Sequence, residues 1–115
     1  MELTIFHNPR CSKSRQTLAL LEARGLKLQV IEYLATPPDA ATLNRLIRML
    51  GVTARDLIRK GEPEYRALGL DDPALDDAAL VAAMAEHPRL IERPIVVAGN
   101  RARIGRPPET VLELL

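Results

Sequence analysis

Tryptophan is absent from the 115 residues, and Phe6, Tyr33 and Tyr65 are the only Phe, Trp or Tyr side chains. A chain with so few aromatic faces offers no stacking platform for single-stranded nucleic acid. Cysteine occurs once, as Cys11. One cysteine forms no internal disulfide, which excludes a disulfide-stapled secreted domain. With only His7 and His87 beside it, Cys11 belongs to no metal-ligand cluster, so no metal and no bound cofactor is expected. No apolar run approaches the ~18 residues of a membrane span, so no membrane association is expected. Met1-Glu2-Leu3-Thr4-Ile5 has neither a basic start nor a long apolar stretch, so no signal peptide is expected. Neither sign of charge dominates: 16 Lys+Arg stand against 15 Asp+Glu, a net charge of +1. That balance argues against a nucleic-acid partner held by bulk charge. It leaves room for a local cluster of arginines around an anion.

What is present is an ordinary globular composition. Hydrophobic residues make up 47% and charged residues 27%, which excludes a disordered tail, a collagen or a coiled coil. A chain of this length buries roughly two thirds of its unfolded surface and builds its own core. No linker, repeat or low-complexity segment interrupts it, so residues 1–115 read as one domain.

Leu3–His7 is a short β-branched and aromatic run closed by Asn8-Pro9, which predicts a strand and a turn. Ser12–Arg24 takes helical spacing, with Thr17, Leu18 and Leu21 on one side and Gly25 as a stop. Leu28–Tyr33 reads as a second strand, giving a βαβ unit with a parallel pair. Helices are expected over Asp39–Leu50, Val52–Lys60, Glu62–Leu68 and Asp76–Glu86, the last with Asp76 as N-cap and Leu80, Val81 and Met84 inward. Pro94–Ala98 and Arg101–Gly105 read as a hairpin across Gly99-Asn100. Pro107-Pro108-Glu109 opens a last helix with Val111, Leu112 and Leu115 as its apolar residues. The order β-α-β, several helices, β-β-α predicts an α/β chain. It matches the thioredoxin-like fold with a helical insertion between the βαβ and ββα halves.

A lone cysteine is by itself more often an inert, buried, small hydrophobic side chain than a nucleophile. The position of Cys11 favours the nucleophile. It follows the first strand and opens the first helix, where free N–H groups and the helix dipole stabilise a thiolate. Arg10, Lys13 and Arg15 add positive charge, and residues 8–15 offer successive N–H groups and two hydroxyls to an oxyanion. The expectation is an exposed Cys11 with a depressed pKa. His7 reads two ways, as an imidazolium beside the thiolate or as a satisfied polar residue at a strand end. His87 precedes Pro88 and reads as a helix C-terminal residue with no catalytic role. Arg59, Arg93 and Arg106 fall at loop and element ends, and arginine binds oxyanions through a planar, permanently charged fork. Composition alone does not single them out from the other arginines.

The sequence resembles the glutaredoxin-coupled arsenate reductase (ArsC) family, in particular its short bacterial branch. The resemblance covers the whole chain. It rests on Phe6-His7-Asn8-Pro9-Arg10-Cys11-Ser12-Lys13-Ser14-Arg15, on Tyr33-Leu34-Ala35-Thr36-Pro37-Pro38 and on Leu57-Ile58-Arg59-Lys60. Arg93-Pro94-Ile95-Val96-Val97 and Arg106-Pro107-Pro108-Glu109 complete it. The resemblance implies that Cys11 attacks arsenate to give a thiol–arsenate adduct. It implies that Arg59, Arg93 and Arg106 converge to hold the oxyanion there, and that His7 and Ser14 favour the thiolate. It also implies a cis Arg93-Pro94 bond facing the nucleophile.

Reducing arsenate to arsenite takes two electrons, and one thiol cannot resolve its own adduct. The second thiol is therefore external. The resemblance names glutathione as co-substrate, with glutaredoxin as the partner that regenerates Cys11, and hence a cytoplasmic location. Two other functions compete: an Spx-like redox or partner-binding regulator, and a glutaredoxin-like thiol transferase without arsenate activity. Ser14 stands where Spx-type proteins usually carry a second cysteine, which counts against the regulator.

Overall fold

The structure is a computed structural model and describes residues 2–115. The chain divides into two compact units, one of Met1–Thr36 with Arg93–Leu115, the other of Pro37–Glu92.

The first unit is built on four strands: β1 (Glu2–His7), β2 (Lys27–Glu32), β3 (Ile95–Ala98) and β4 (Arg101–Ile104), in the order β2-β1-β3-β4. β1 runs parallel to β2 and antiparallel to β3, and β3 and β4 form the hairpin. Gly99 turns that hairpin at φ +62, a left-handed conformation that favours glycine. Helix α1 (Ser12–Ala23) makes the crossover from β1 to β2. Leu3 and Ile5, two apart on β1, meet Leu21, Val96, Val111 and Leu114 in one buried cluster. The period-2 spacing of the strand puts Leu3 and Ile5 on the same face. These elements reproduce the thioredoxin-like α/β plan expected from the order of elements.

The last element differs from the helix expected. Pro108–Leu114 is a 3-10 segment, with the Thr110 N–H donating to the Pro107 carbonyl at 3.0 Å. Pro107 and Pro108 have no N–H to contribute to an α-helical ladder. Three residues per turn then put Pro108, Val111 and Leu114 on one buried face, while Leu115 is exposed. The inward set is therefore 108, 111 and 114, where the helical pattern expected 111, 112 and 115.

The second unit is helical: α2 (Ala40–Leu50), α3 (Ala54–Leu57), α4 (Pro63–Ala67), α5 (Asp77–Glu86) and a 3-10 turn at Pro88–Leu90. Asp39 and Asp76 cap α2 and α5, accepting from Thr42 N at 2.8 Å and Ala79 N at 2.9 Å. Leu80, Val81 and Met84 are buried as expected. The helix expected over Val52–Lys60 shrinks to one turn. Thr53 and Asp56 form a capping box at its start, and Ile58 leaves it to bridge Ile91. Backbone bonds from Arg59 to Leu90 (2.7 Å) and from Glu92 to Leu57 (2.9 Å) hold that bridge and end the helix. The helix over Glu62–Leu68 likewise contracts to α4. Among the described residues, no helix is long and apolar enough to cross a membrane, and no group of three or more His, Cys, Asp and Glu is placed to hold a metal.

Candidate active site

The loop between β1 and α1 is tied at four points. The Cys11 N–H donates to the Asn8 carbonyl at 3.0 Å, closing a turn around Pro9 and Arg10. Asn8 Oδ1 accepts from the Arg10 N–H at 3.0 Å, and Asn8 N–H donates to Ser14 Oγ at 3.0 Å. Arg15 Nη1 donates to the Pro9 carbonyl at 2.9 Å. The loop thereby sets Cys11 as the N-cap of α1, with φ −97 and ψ 124.

Cys11 is buried, 7% exposed, which corrects the exposure expected for it. The correction has a local cause: guanidinium groups lie over the sulfur. Arg106 Nη2 approaches Cys11 Sγ at 3.5 Å, and Arg106 Nε is fixed by the Arg93 carbonyl at 2.8 Å. Burial pushes the thiol pKa up. The Ser14 backbone N–H, the Arg93 guanidinium as donor and as charge, and the Lys13 backbone N–H together outweigh it. The net pKa lies below the ordinary thiol value, so the thiolate is favoured as expected. No close capping hydrogen bond ties the sulfur to the first turn; the amides act on it through their partial positive charge.

Two cis bonds, Arg93-Pro94 and Arg106-Pro107, carry the arginines, and the first is the one expected. The Gly105 N–H donates to the Pro94 carbonyl at 2.9 Å. A Cβ on Gly105 would fall 2.9 Å from Pro94 Cγ and against Thr17 Oγ1. Gly105 thus lets the strand end lie directly on α1, one residue before Arg106.

His7 and Ser14 form a buried pair, with Ser14 Oγ 2.7 Å from His7 Nδ1. Burial lowers the His7 pKa and Arg15 adds to this, against Glu32 and Glu22, which raise it; the net shift is down. The neutral imidazole is favoured, and the histidine bonds Ser14 rather than Cys11. Its support for the thiolate therefore runs through the placement of Ser14. Arg59 belongs to the second unit, where its guanidinium meets Glu92 at 2.7 Å and Glu62 at 3.3 Å. His87 is half-buried and is the C-cap of α5. The sequence had not marked Thr17 or Gly105 as part of the site. Their signal, a small residue beside a glycine, is carried by contact in space and not by spacing along the chain.

A family model described as the ArsC family matches residues 6–114. An arsenate reductase of Neisseria meningitidis serogroup A is 50% identical over 115 residues, covering 99% of this chain and 98% of its own. The YfgD protein of Escherichia coli K12, described as uncharacterized, is 54% identical over 115 residues, 99% of this chain and 97% of its own. The solved structure of an arsenate reductase from Vibrio cholerae superposes with a TM-score of 0.98 at 57% identity, covering 100% of this chain and 98% of that one.

Proposed function

The chain belongs to the ArsC family, and from that premise we propose that it reduces arsenate to arsenite with Cys11 as the nucleophile. One observation carries the proposal: a thiol of depressed pKa lies under the Arg93 and Arg106 guanidinium groups. A thiolate and an arsenate anion repel each other strongly in a site poor in water. Permanently charged, planar donors offset that repulsion and the charge on the adduct. Arg59 is the third substrate-binding arginine of this proposal.

Cys11 Sγ displaces a hydroxyl from arsenic, which leaves as water and forms the thiol–arsenate adduct. Two external thiol equivalents, from glutathione and glutaredoxin, then leave as a disulfide and deliver two electrons to arsenic. Hydrolysis of the sulfur–arsenic(III) bond releases arsenite and restores the Cys11 thiol. The thiols supply the electrons, so the reaction calls for no bound cofactor and no metal. A cytoplasmic location belongs to the same proposal, since glutathione and glutaredoxin work there.

The test is arsenate-dependent NADPH consumption with glutathione, glutaredoxin and glutathione reductase. Wild-type protein should turn over and Cys11→Ser should not. Absence of arsenate-dependent turnover, with activity on glutathionylated substrates instead, would leave the thiol transferase standing in its place.

A further inference from the structure

A cleft of about 410 Å3 opens beside the Cys11 loop, within the first unit. His7, Pro9 and Arg10 line it from the end of β1, and Glu32, Leu34 and Ala35 line it from the end of β2. Clefts of this size hold small ligands. Asn8 also lines it and spends its N–H and Oδ1 within the loop, but three other polar residues of the lining keep groups free to bind. Arg10 is exposed, and its guanidinium has no hydrogen bond among the described residues. The Glu32 carboxylate also has none, although the backbone carbonyl of Glu32 takes the Ala35 and Thr36 N–H groups.

His7 is the third, and it is 6% exposed. Ser14 Oγ already accepts from the Asn8 N–H, so the simplest proton assignment has its hydroxyl donate to His7 Nδ1. That assignment leaves the His7 proton on Nε2. Nε2 has no hydrogen bond among the described residues and is not among their fully buried unpaired atoms, so it is a donor available to the cleft that His7 lines. A cation, a neutral N–H donor and a carboxylate therefore border one small cavity, with Pro9, Leu34 and Ala35 as its apolar wall.

An α-amino-acid head matches this set. Its carboxylate suits Arg10 and His7 Nε2, and its ammonium suits Glu32. Its methylenes suit the apolar wall. We propose that the cleft holds the γ-glutamyl head of a glutathione-type thiol, the external thiol that a chain with a single cysteine requires. This rests on the thiol-dependent reduction proposed above. It adds to that reading a place for the co-substrate on the β2 side of the loop.

The probe is S-methylglutathione, which cannot react, titrated into 15N-labelled protein. Amide resonances of Leu34 and Ala35 should shift. Glu32→Gln should weaken binding at least about fivefold, the order expected for loss of one charge-assisted hydrogen bond. S-methyl-cysteinylglycine, which lacks the γ-glutamyl residue, should not shift those amides. Equal binding by wild type and Glu32→Gln, or equal shifts with both peptides, overturns the proposal. Arsenate turnover measured in parallel answers the function separately. Binding in the cleft without turnover supports the cleft and sinks arsenate reduction; turnover with the cleft amides unmoved does the reverse.

Discussion

Gly105→Ala is the change that tests how the site is held together. The φ of Gly105 is not positive, so alanine meets no backbone penalty there and the effect is purely steric. The added methyl would lie 2.9 Å from Pro94 Cγ and against Thr17 Oγ1. Carbon–carbon contacts are most favourable near 3.5–4.0 Å, so this approach is repulsive. Neither neighbour yields cheaply. Pro94 is buried and its carbonyl is bonded to the Gly105 N–H at 2.9 Å. Thr17 is fully buried, and its hydroxyl donates to the Lys13 carbonyl at 2.8 Å. Rotating it away gives up a bond worth about 1 kcal/mol. Overpacking of this kind costs about 1–3 kcal/mol, and the lost bond places Gly105→Ala near 2–3 kcal/mol. At about 4 °C per kcal/mol for a chain of this size, Tm should fall by roughly 8–12 °C. Urea unfolding followed by circular dichroism measures the loss. Thr17→Ala removes Oγ1 and Cγ2, the two Thr17 atoms the methyl would meet, so the double variant should be about 1 kcal/mol more stable than the sum of the singles predicts. Stability of Gly105→Ala within about 0.5 kcal/mol of wild type, or an additive cycle, would refute the reasoning.

Alkylation of Cys11 by iodoacetamide should follow a single pH inflection below the ~8.5 of a free thiol. Arg93→Ala removes a donor and a charge that lower the pKa, so its inflection should move up; an unmoved inflection contradicts the assignment. Arg59→Ala, Arg93→Ala and Arg106→Ala should each lower arsenate turnover at least about tenfold, about 1.4 kcal/mol. Arg101→Ala should cost much less, because its guanidinium holds the Glu113 carbonyl at 3.1 Å on the hairpin side. Equal losses at Arg93 and Arg101 would remove the oxyanion role.

The sequence revealed the caps and turns that local side chains encode. Asp39, Asp76 and Gly51 mark helix ends because capping uses side chains within a turn of the helix. The turn at Asn8-Pro9 and the hairpin at Gly99-Asn100 were visible for the same reason. The shortening of the segment after Gly51 was hidden, because Ile58 leaves its helix to pair with Ile91, a partner distant in sequence. The 3-10 course of Pro108–Leu114 is encoded in a period of three that a helical template passes over. At the site, Cys11, Ser14, Arg93 and Arg106 were named by motif. The burial of Cys11 was not, because it depends on Arg106, 95 residues away, lying over the sulfur.

The protonation of His7 decides how this thiolate is controlled. An imidazolium would add a charge that titrates near neutral pH, so the thiolate would lose support as pH rose. Burial favours the neutral ring instead, and Ser14 Oγ, paired with Nδ1, anchors the Asn8 N–H. The anchored turn holds the Ser14 amide at the sulfur, where it is the foremost group drawing the pKa down. The remaining support comes from the Arg93 guanidinium and the Lys13 amide, and Arg106 Nη2 lies at the sulfur as a further donor. Arginine stays charged throughout the working range, and backbone amides do not titrate. The groups that draw the thiol pKa down are thus arginine and backbone amide, and none of them changes charge near neutral pH. That is why one inflection, and not a bell, is expected for its alkylation.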